Sequence, residues 1–211
     1  MLVSAIDLGI NNITSVQRAF SLPLKLTDEF AILEEGQGAR RPDLLILPGL
    51  GKFGTGMAAL EERTFIDKIK TWQEEGTKIV GICLGMQLLG SHSEESPGVD
   101  GLNLIRASVS RLPVTEKERI PHVGWAGTNP STHLEKFSSL STPGDFYFVH
   151  SYHLKPENEN NVLTTSYFGK QTFVSSILQK NILGFQFHPE KSGSKGRALV
   201  IEIIDWARNE G

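Results

Sequence analysis

The first half of the chain alternates short apolar runs with helical patterns. Residues 2–6, 44–47 and 79–82 are continuous apolar runs, not alternating ones, as expected of strands buried on both faces. Residues 13–20 carry helical periodicity, entered through Asn11 and Asn12, both good capping types. Residues 57–60 and 65–72 are also helical in pattern, with Phe65, Ile69 and Trp72 on one face. Pro48-Gly49 is expected to end the second strand, and residues 86–90 to begin a helix after the third. This alternation predicts an α/β fold: a central, mostly parallel sheet covered by helices on both faces.

The middle of the chain changes character. Residues 99–112, 146–149, 163–166 and 173–177 read as shorter, antiparallel strands, separated by turn signals such as Thr142-Pro143-Gly144. Residues 156–161 are polar and expected on a surface loop, 183–187 form a further strand, and 197–208 a closing amphipathic helix. No repeat, low-complexity tract or long linker interrupts the chain, so residues 1–211 are expected to form one domain.

Composition narrows the function classes. A net charge of -3 with both signs interspersed gives no basis for binding nucleic acid or an anionic membrane. The apolar runs are too short to cross a bilayer. The apolar start at residues 1–6 has no basic leader and meets Asp7 at once, so no signal peptide is expected there. One cysteine, Cys83, allows no internal disulfide or cysteine-rich zinc site and fits a reducing, cytoplasmic setting.

A lone cysteine is more often a small buried hydrophobe than a nucleophile. Its neighbours decide the matter. In Val80-Gly81-Ile82-Cys83-Leu84-Gly85-Met86, Cys83 stands between a buried strand and a helix, with glycines two residues before and after it. This is the cysteine form of the nucleophile elbow. Such a turn lifts sulfur above the carboxyl edge of the sheet and points the following helix at it, a field that favours thiolate. The amide of Leu84 is then free to hold an oxyanion. Taken alone, the pattern is equally a buried cysteine beside two turn glycines. It needs a base.

A base stands near the other end, in Phe187-His188-Pro189-Glu190. Pro189 biases His188 toward extended backbone, where residues two apart share a side, so Glu190 can reach the imidazole. Glu190 would fix the tautomer while His188 takes and returns protons. In isolation, His-Pro-Glu reads as a solvated loop with a surface ion pair. A third element, Pro48-Gly49-Leu50-Gly51, follows a strand whose carboxyl end meets the same sheet edge. Its backbone N–H groups could face a tetrahedral intermediate, although a Pro-Gly turn alone is weak evidence. No phosphate-loop pattern is complete here.

Together, Pro48-Gly49-Leu50-Gly51, the run from Gly81 to Leu89 and His188-Pro189-Glu190 resemble the class I glutamine amidotransferases. Further motifs narrow the resemblance to the glutaminase subunits of imidazole glycerol phosphate synthase, which serve histidine biosynthesis. They are Ser93-Glu94-Glu95-Ser96, Pro121-His122-Val123-Gly124-Trp125, Phe148-Val149-His150-Ser151-Tyr152 and Lys191-Ser192-Gly193. The resemblance runs over nearly the whole chain. It implies the flavodoxin-like fold of that class, with added antiparallel strands, and a catalytic set of Cys83, His188 and Glu190. It places oxyanion donors at Gly49, Leu50, Gly51 and Leu84, and glutamine contacts at Gln87, Glu95, His150, Ser151 and Tyr152. It implies a thioester route to glutamate and ammonia, and no cofactor. The ammonia would pass to a (β/α)₈-barrel synthase subunit, docked near His122 and Trp125 in a heterodimer, which forms imidazole glycerol phosphate and aminoimidazole carboxamide ribotide.

Two departures stand out: Ala126 follows Trp125 where the family has Asn, and Asn11-Asn12-Ile13 stands for Gly-Asn-Leu. They leave open a paralogue feeding ammonia to another pathway, such as amino-sugar modification. A non-catalytic scaffold and a cysteine peptidase are the remaining alternatives, and the intact catalytic set speaks against the scaffold. No metal site is expected. His150 and His153 should lie on opposite faces of an extended segment, and His92, His122 and His133 lack clustered partners in sequence. Glu116 and Glu118 are expected to be solvated.

Overall fold

The computed structural model describes residues 1–10, 12–113, 119–132 and 134–209. Asn11, Glu116, Glu118 and His133, on which expectations were placed, lie outside the described residues. The first half runs β1 (Leu2–Ile6), α1 (Ile13–Ser21), β2 (Glu29–Leu33), β3 (Leu44–Gly49), α2 (Phe53–Glu62), α3 (Ile66–Glu74), β4 (Lys78–Cys83) and α4 (Leu84–Leu88). The second half adds β5 (His92–Ser93), β6 (Ala107–Arg111), β7 (His122–Gly127), β8 (Asn129–Pro130) and β9 (Asp145–His150). It ends with β10 (Tyr152–Pro156), β11 (Val162–Phe168), β12 (Gln171–Gln179), β13 (Ile182–Phe185) and α5 (Gly193–Asn209).

The main sheet has the order β2-β1-β3-β4-β13-β12-β11-β8. Pairing is parallel from β2 through β13 and antiparallel from β13 to β8. Alternate residues of β3 explain its continuous apolar run. Leu44 and Ile46 join a core completed by α1 and α5, while Leu45 and Leu47 join a second core under α2, α3 and α4. Each such fully buried aliphatic side chain stabilises the fold by about 1.5–3 kcal/mol. Asn12 caps α1 by accepting from the Ser15 amide, as its residue type predicts.

Several local expectations are corrected. β3 does not stop at Leu47: Pro48 and Gly49 are its last two residues, paired with β4 as far as Gly49 opposite Cys83. On its other side β3 meets β1 only as far as Ile46. Pro48 therefore stands where a missing N–H costs no bond to β1. The helix after the third run begins at once, at Leu84, and is a single turn, so its dipole is small. Of residues 99–112 only Ala107–Arg111 is a strand. The amides of Leu102, Asn103, Leu104 and Ile105 donate instead to the carbonyls of Leu88, Gly90 and Leu89, closing the end of α4. The strand expected at 183–187 is shorter, and β2 was not anticipated because it is half-exposed at the sheet edge. Among the described residues no helix is long and apolar enough to cross a membrane.

Candidate active site

Cys83 ends the central strand β4 with φ 54° and ψ -108°, a conformation rare for a residue with a side chain. The flanking glycines are what permit it. A Cβ on Gly81 would lie 2.7 Å from the Met86 nitrogen, and one on Gly85 would lie 1.7 Å from the Leu47 carbonyl oxygen. Strand, turn and helix thus pass too close for any other residue at either position. The elbow read from sequence is present, and Leu84 opens α4 with no side-chain cap from Cys83.

His188 follows β13, the parallel neighbour of β4, and reaches the same edge. Its backbone is extended, with φ -104° and ψ 95°, but Pro189–Lys191 then forms a 3-10 turn. Glu190 reaches the ring through that turn, not by strand alternation. Its Oε1 lies 2.7 Å from His188 Nδ1, and both side chains are buried. A carboxylate can only accept, so Nδ1 carries a proton in either charge state and Nε2 is the nitrogen left to exchange one with the sulfur. Nε2 is buried, with no hydrogen bond of ordinary geometry, and meets the Cys83 sulfur more loosely. Burial opposes charge on this ring. The charge and hydrogen-bonding of Cys83, then those of Glu190, outweigh it and raise His188 from 6.5 to about 10. The sulfur is therefore an electrostatic partner of the imidazolium, as acyl transfer requires.

Cys83 opens onto a pocket of about 160 Å³ lined also by Leu50, Gly51, Leu84, Gln87, Glu95, Pro121, Val149, His150, Ser151 and Tyr152. Nine of the site residues picked out from sequence therefore share one concavity. Gly49 does not line it. With His188 and Glu190, Gly49 faces a separate cavity of about 20 Å³. Gly51 has φ 122°, a conformation open to glycine, so the loop after β3 can turn its amides where a side chain would forbid it.

Known proteins place the chain in a family. Residues 5–204 match the family described as glutamine amidotransferase class-I. The chain belongs to that family. It is 39% identical to the imidazole glycerol phosphate synthase subunit HisH of Thermotoga maritima, over 97% of each chain. It is 35% identical to the subunit of that name from Prochlorococcus marinus, over 99% of this chain and 96% of that one. Among solved structures, PurLQS from Thermotoga maritima superposes with a TM-score of 0.71 at 17% identity, over 97% of this chain and 98% of that one. The amidotransferase fold is thus shared well beyond close sequence relatives.

Within this amidotransferase fold, several residues carry duties that the sequence did not reveal. Glu95 Oε2 accepts from the Phe53 amide at 2.8 Å and Ser96 Oγ from that of Gly54 at 2.9 Å. Together they cap α2, whose own N-cap residue Lys52 supplies no side-chain bond. Gln87 Nε2 is likewise occupied, donating to the Tyr152 carbonyl at 2.8 Å and to Gln186 Oε1 at 3.1 Å.

His150 Nδ1 bonds the same Tyr152 carbonyl at 2.8 Å, and its Nε2 lies 3.3 Å from His122 Nδ1. Both its ring nitrogens are thus spent inside the protein, which leaves no side-chain donor for substrate. Burial keeps its pKa down at about 3. His122 is itself buried and stacked on Phe148, so its side chain does not belong to an outer surface. Trp125, two residues on, is 56% exposed. The alternation of β7 separates them: His122 points inward, Val123 and Trp125 outward.

His150 and His153 are not on opposite faces. Both rings pack on Phe173, at 4.9 and 6.1 Å, because Ser151 breaks the alternation between β9 and β10. Among the described residues no three metal-binding side chains are grouped to hold an ion.

Two positioning residues were missed. Ser192 Oγ donates to the His188 carbonyl at 2.6 Å and accepts from the Tyr147 amide at 3.0 Å, clamping the turn that carries Glu190. Gln186, fully buried, places its Nε2 3.7 Å from Cys83 Sγ. A polar residue between Phe185 and Phe187 was the available signal.

Proposed function

We propose that residues 1–211 act as one cytoplasmic glutaminase domain, the ammonia-producing subunit of an imidazole glycerol phosphate synthase. The observation that carries the chemistry is the coupling of Cys83, His188 and Glu190 at one sheet edge beside a pocket sized for a small molecule. The names and near-complete overlap of the relatives support the pathway. Glutamine enters with its carboxamide at Cys83, and its α-ammonium faces the carboxylate of Glu95. Sulfur attacks the carboxamide carbon, and amides of Leu84, Leu50 and Gly51 hold the oxyanion. His188 protonates the departing ammonia, Glu190 stabilises the imidazolium, and a thioester remains. Water, activated by the now neutral His188, then releases glutamate.

Ammonia passes to a (β/α)₈-barrel partner docked on the exposed face of β7 that holds Val123 and Trp125. Ala126, the departure from the family pattern, packs against the apolar core opposite Phe146. It therefore does not change the outward face of β7, which supports the same docking mode over a change of partner. Cys83→Ala tests the assignment. Glutamine-dependent synthesis by the reconstituted pair should vanish while ammonia-dependent synthesis persists. Residual glutamine turnover in that variant would remove Cys83 as nucleophile, and failure to work with any imidazole glycerol phosphate synthase barrel would move the chain to another pathway.

A further inference from the structure

Besides His188, the sulfur of Cys83 has two polar neighbours of opposite kind. The Val149 carbonyl oxygen lies 3.6 Å from it and can only accept. Gln186 Nε2 lies at 3.7 Å, but an amide can present either its nitrogen or its oxygen, so its orientation has to be argued.

One backbone carbonyl decides it. Tyr152 O has no hydrogen to give, so the Gln87 atom 2.8 Å from it must be the nitrogen. That nitrogen is also the atom 3.1 Å from Gln186, which must answer with its oxygen. The Gln186 nitrogen is then left facing Cys83. The second lone pair of Tyr152 O accepts from His150 Nδ1, so the neutral His150 presents Nε2 as an acceptor to His122 Nδ1–H. Every polarity from His122 to Cys83 follows from a single oxygen. Gln186, Gln87, His150 and His122 are all buried, so water does not compete for these bonds.

We infer that Gln186 is a hydrogen-bond donor to the nucleophile, locked in that orientation by Gln87 and the Tyr152 carbonyl, and that it stabilises negative charge on Cys83 Sγ. The neutral thiol satisfies both neighbours, giving its hydrogen to Val149 O and accepting from Gln186. Once ionised it loses the first and keeps the second, which strengthens because its acceptor is charged. Gln186 thus favours the attacking form differentially. This role rests on the glutaminase reading only in that the sulfur is the nucleophile.

Cys83 is the single cysteine of the chain, so alkylation of the full-length protein by iodoacetamide reports that sulfur alone. The comparison is the rate against pH for wild type and Gln186→Met, which removes the donor and keeps an unbranched side chain. The other titratable groups around the sulfur, His188 with Glu190 beyond it and His150 and Glu95 across the pocket, are unchanged. Losing a bond to a charged acceptor should move the thiol–thiolate balance about tenfold toward the thiol. The greater nucleophilicity of the more basic sulfur should offset part of this, so the rate falls roughly threefold. The whole curve should also move to higher pH. Superimposable curves in a folded Gln186→Met protein would overturn the inference.

If that variant does not fold, the Gln186 side-chain amide resonance of the wild type gives the answer. It should shift with pH in step with the alkylation rate, and a resonance that stays still through that range removes the donor. The two readings also separate. Wild type that alkylates readily yet hydrolyses no glutamine in complex with the barrel subunit refutes the glutaminase and spares the donor, whereas hydrolysis with an unchanged Gln186→Met curve does the reverse.

Discussion

Gly85 and Leu47 are in backbone contact across the elbow: a Cβ at position 85 would stand 1.7 Å from the Leu47 carbonyl oxygen. Leu47 belongs to the buried strand β3, so it has no room to withdraw. Gly85→Ala must therefore push α4 away from β3, and Cys83 moves with it. The expected result is a loss of at least 1–3 kcal/mol, of the order seen on overpacking a core. Glutamine hydrolysis should fall far more than stability does, because the sulfur leaves the His188 edge. Urea denaturation alongside a glutaminase assay checks both, and near-wild-type turnover in this variant would mean that the elbow tolerates a different path.

Glu190→Gln keeps the size of the side chain that meets His188 Nδ1 and removes its charge. The carboxylate contributes to holding the ring protonated, after burial and Cys83 have acted. Without it the imidazolium formed during attack is less stable, and the tautomer is no longer fixed, since an amide can donate as well as accept. The turnover number should drop by roughly 10²–10⁴-fold, with KM for glutamine changed little, because Glu190 does not line the glutamine pocket. Steady-state kinetics of the complete synthase measures the split. A rise in KM at unchanged turnover would assign Glu190 to substrate binding.

The elbow was legible because its evidence is local: an apolar run, two glycines at fixed offsets from Cys83, and a helix. His188 and Glu190 were legible for the same reason, although the contact is made through a 3-10 turn and not through extended chain. Duties assigned across long sequence separations were hidden. Glu95 caps α2 from 42 residues away, and Gln186 meets Cys83 across 103. Glu95 carries no local mark of that duty, and the signal at Gln186, a polar residue between Phe185 and Phe187, does not name its partner. The strand β2 was missed for a different reason: its apolar run, Phe30–Leu33, is short and stands between the charged residues Asp28-Glu29 and Glu34-Glu35. Residues 99–106 had the opposite fault, an apolar stretch whose amides serve helix carbonyls and so never form a ladder.

Three buried histidines set the response of the fold to acid. Burial lowers His150 to about 3 and, with Lys155 nearby, His153 to about 4; burial also lowers His122. In the unfolded chain each would bind a proton near the ordinary 6.5. A base whose folded pKa is depressed contributes its stability above the unfolded value and loses it as pH falls toward the folded one. Stability should therefore decline from about pH 6.5 toward pH 4, before most carboxylates titrate. His153 sharpens the test, because neither of its buried ring nitrogens makes a regular hydrogen bond. His153→Leu should flatten the decline and hold or raise stability at neutral pH. Urea midpoints measured across that range decide it, and an acid limb as steep as wild type would assign the decline to other groups.

Trp125 offers the cleanest separation of partner binding from folding. Its indole is more than half exposed, and its ring contact is an edge-on one with Tyr147 at 5.7 Å between centroids. Tyr147 in turn lies 6.5 Å from the His188 ring and gives its carbonyl to the His188 amide. A large exposed aromatic on a two-stranded ribbon contributes little to the monomer and is the residue type that dominates interface energies. Trp125→Ala should leave the urea midpoint of the isolated chain nearly unchanged. It should weaken binding to the barrel subunit by about 2 kcal/mol, roughly thirtyfold in Kd. Calorimetric titration of the barrel into each variant measures this directly. Unchanged affinity would place the partner elsewhere, whereas a lower urea midpoint would show that the ribbon depends on the indole for its own packing.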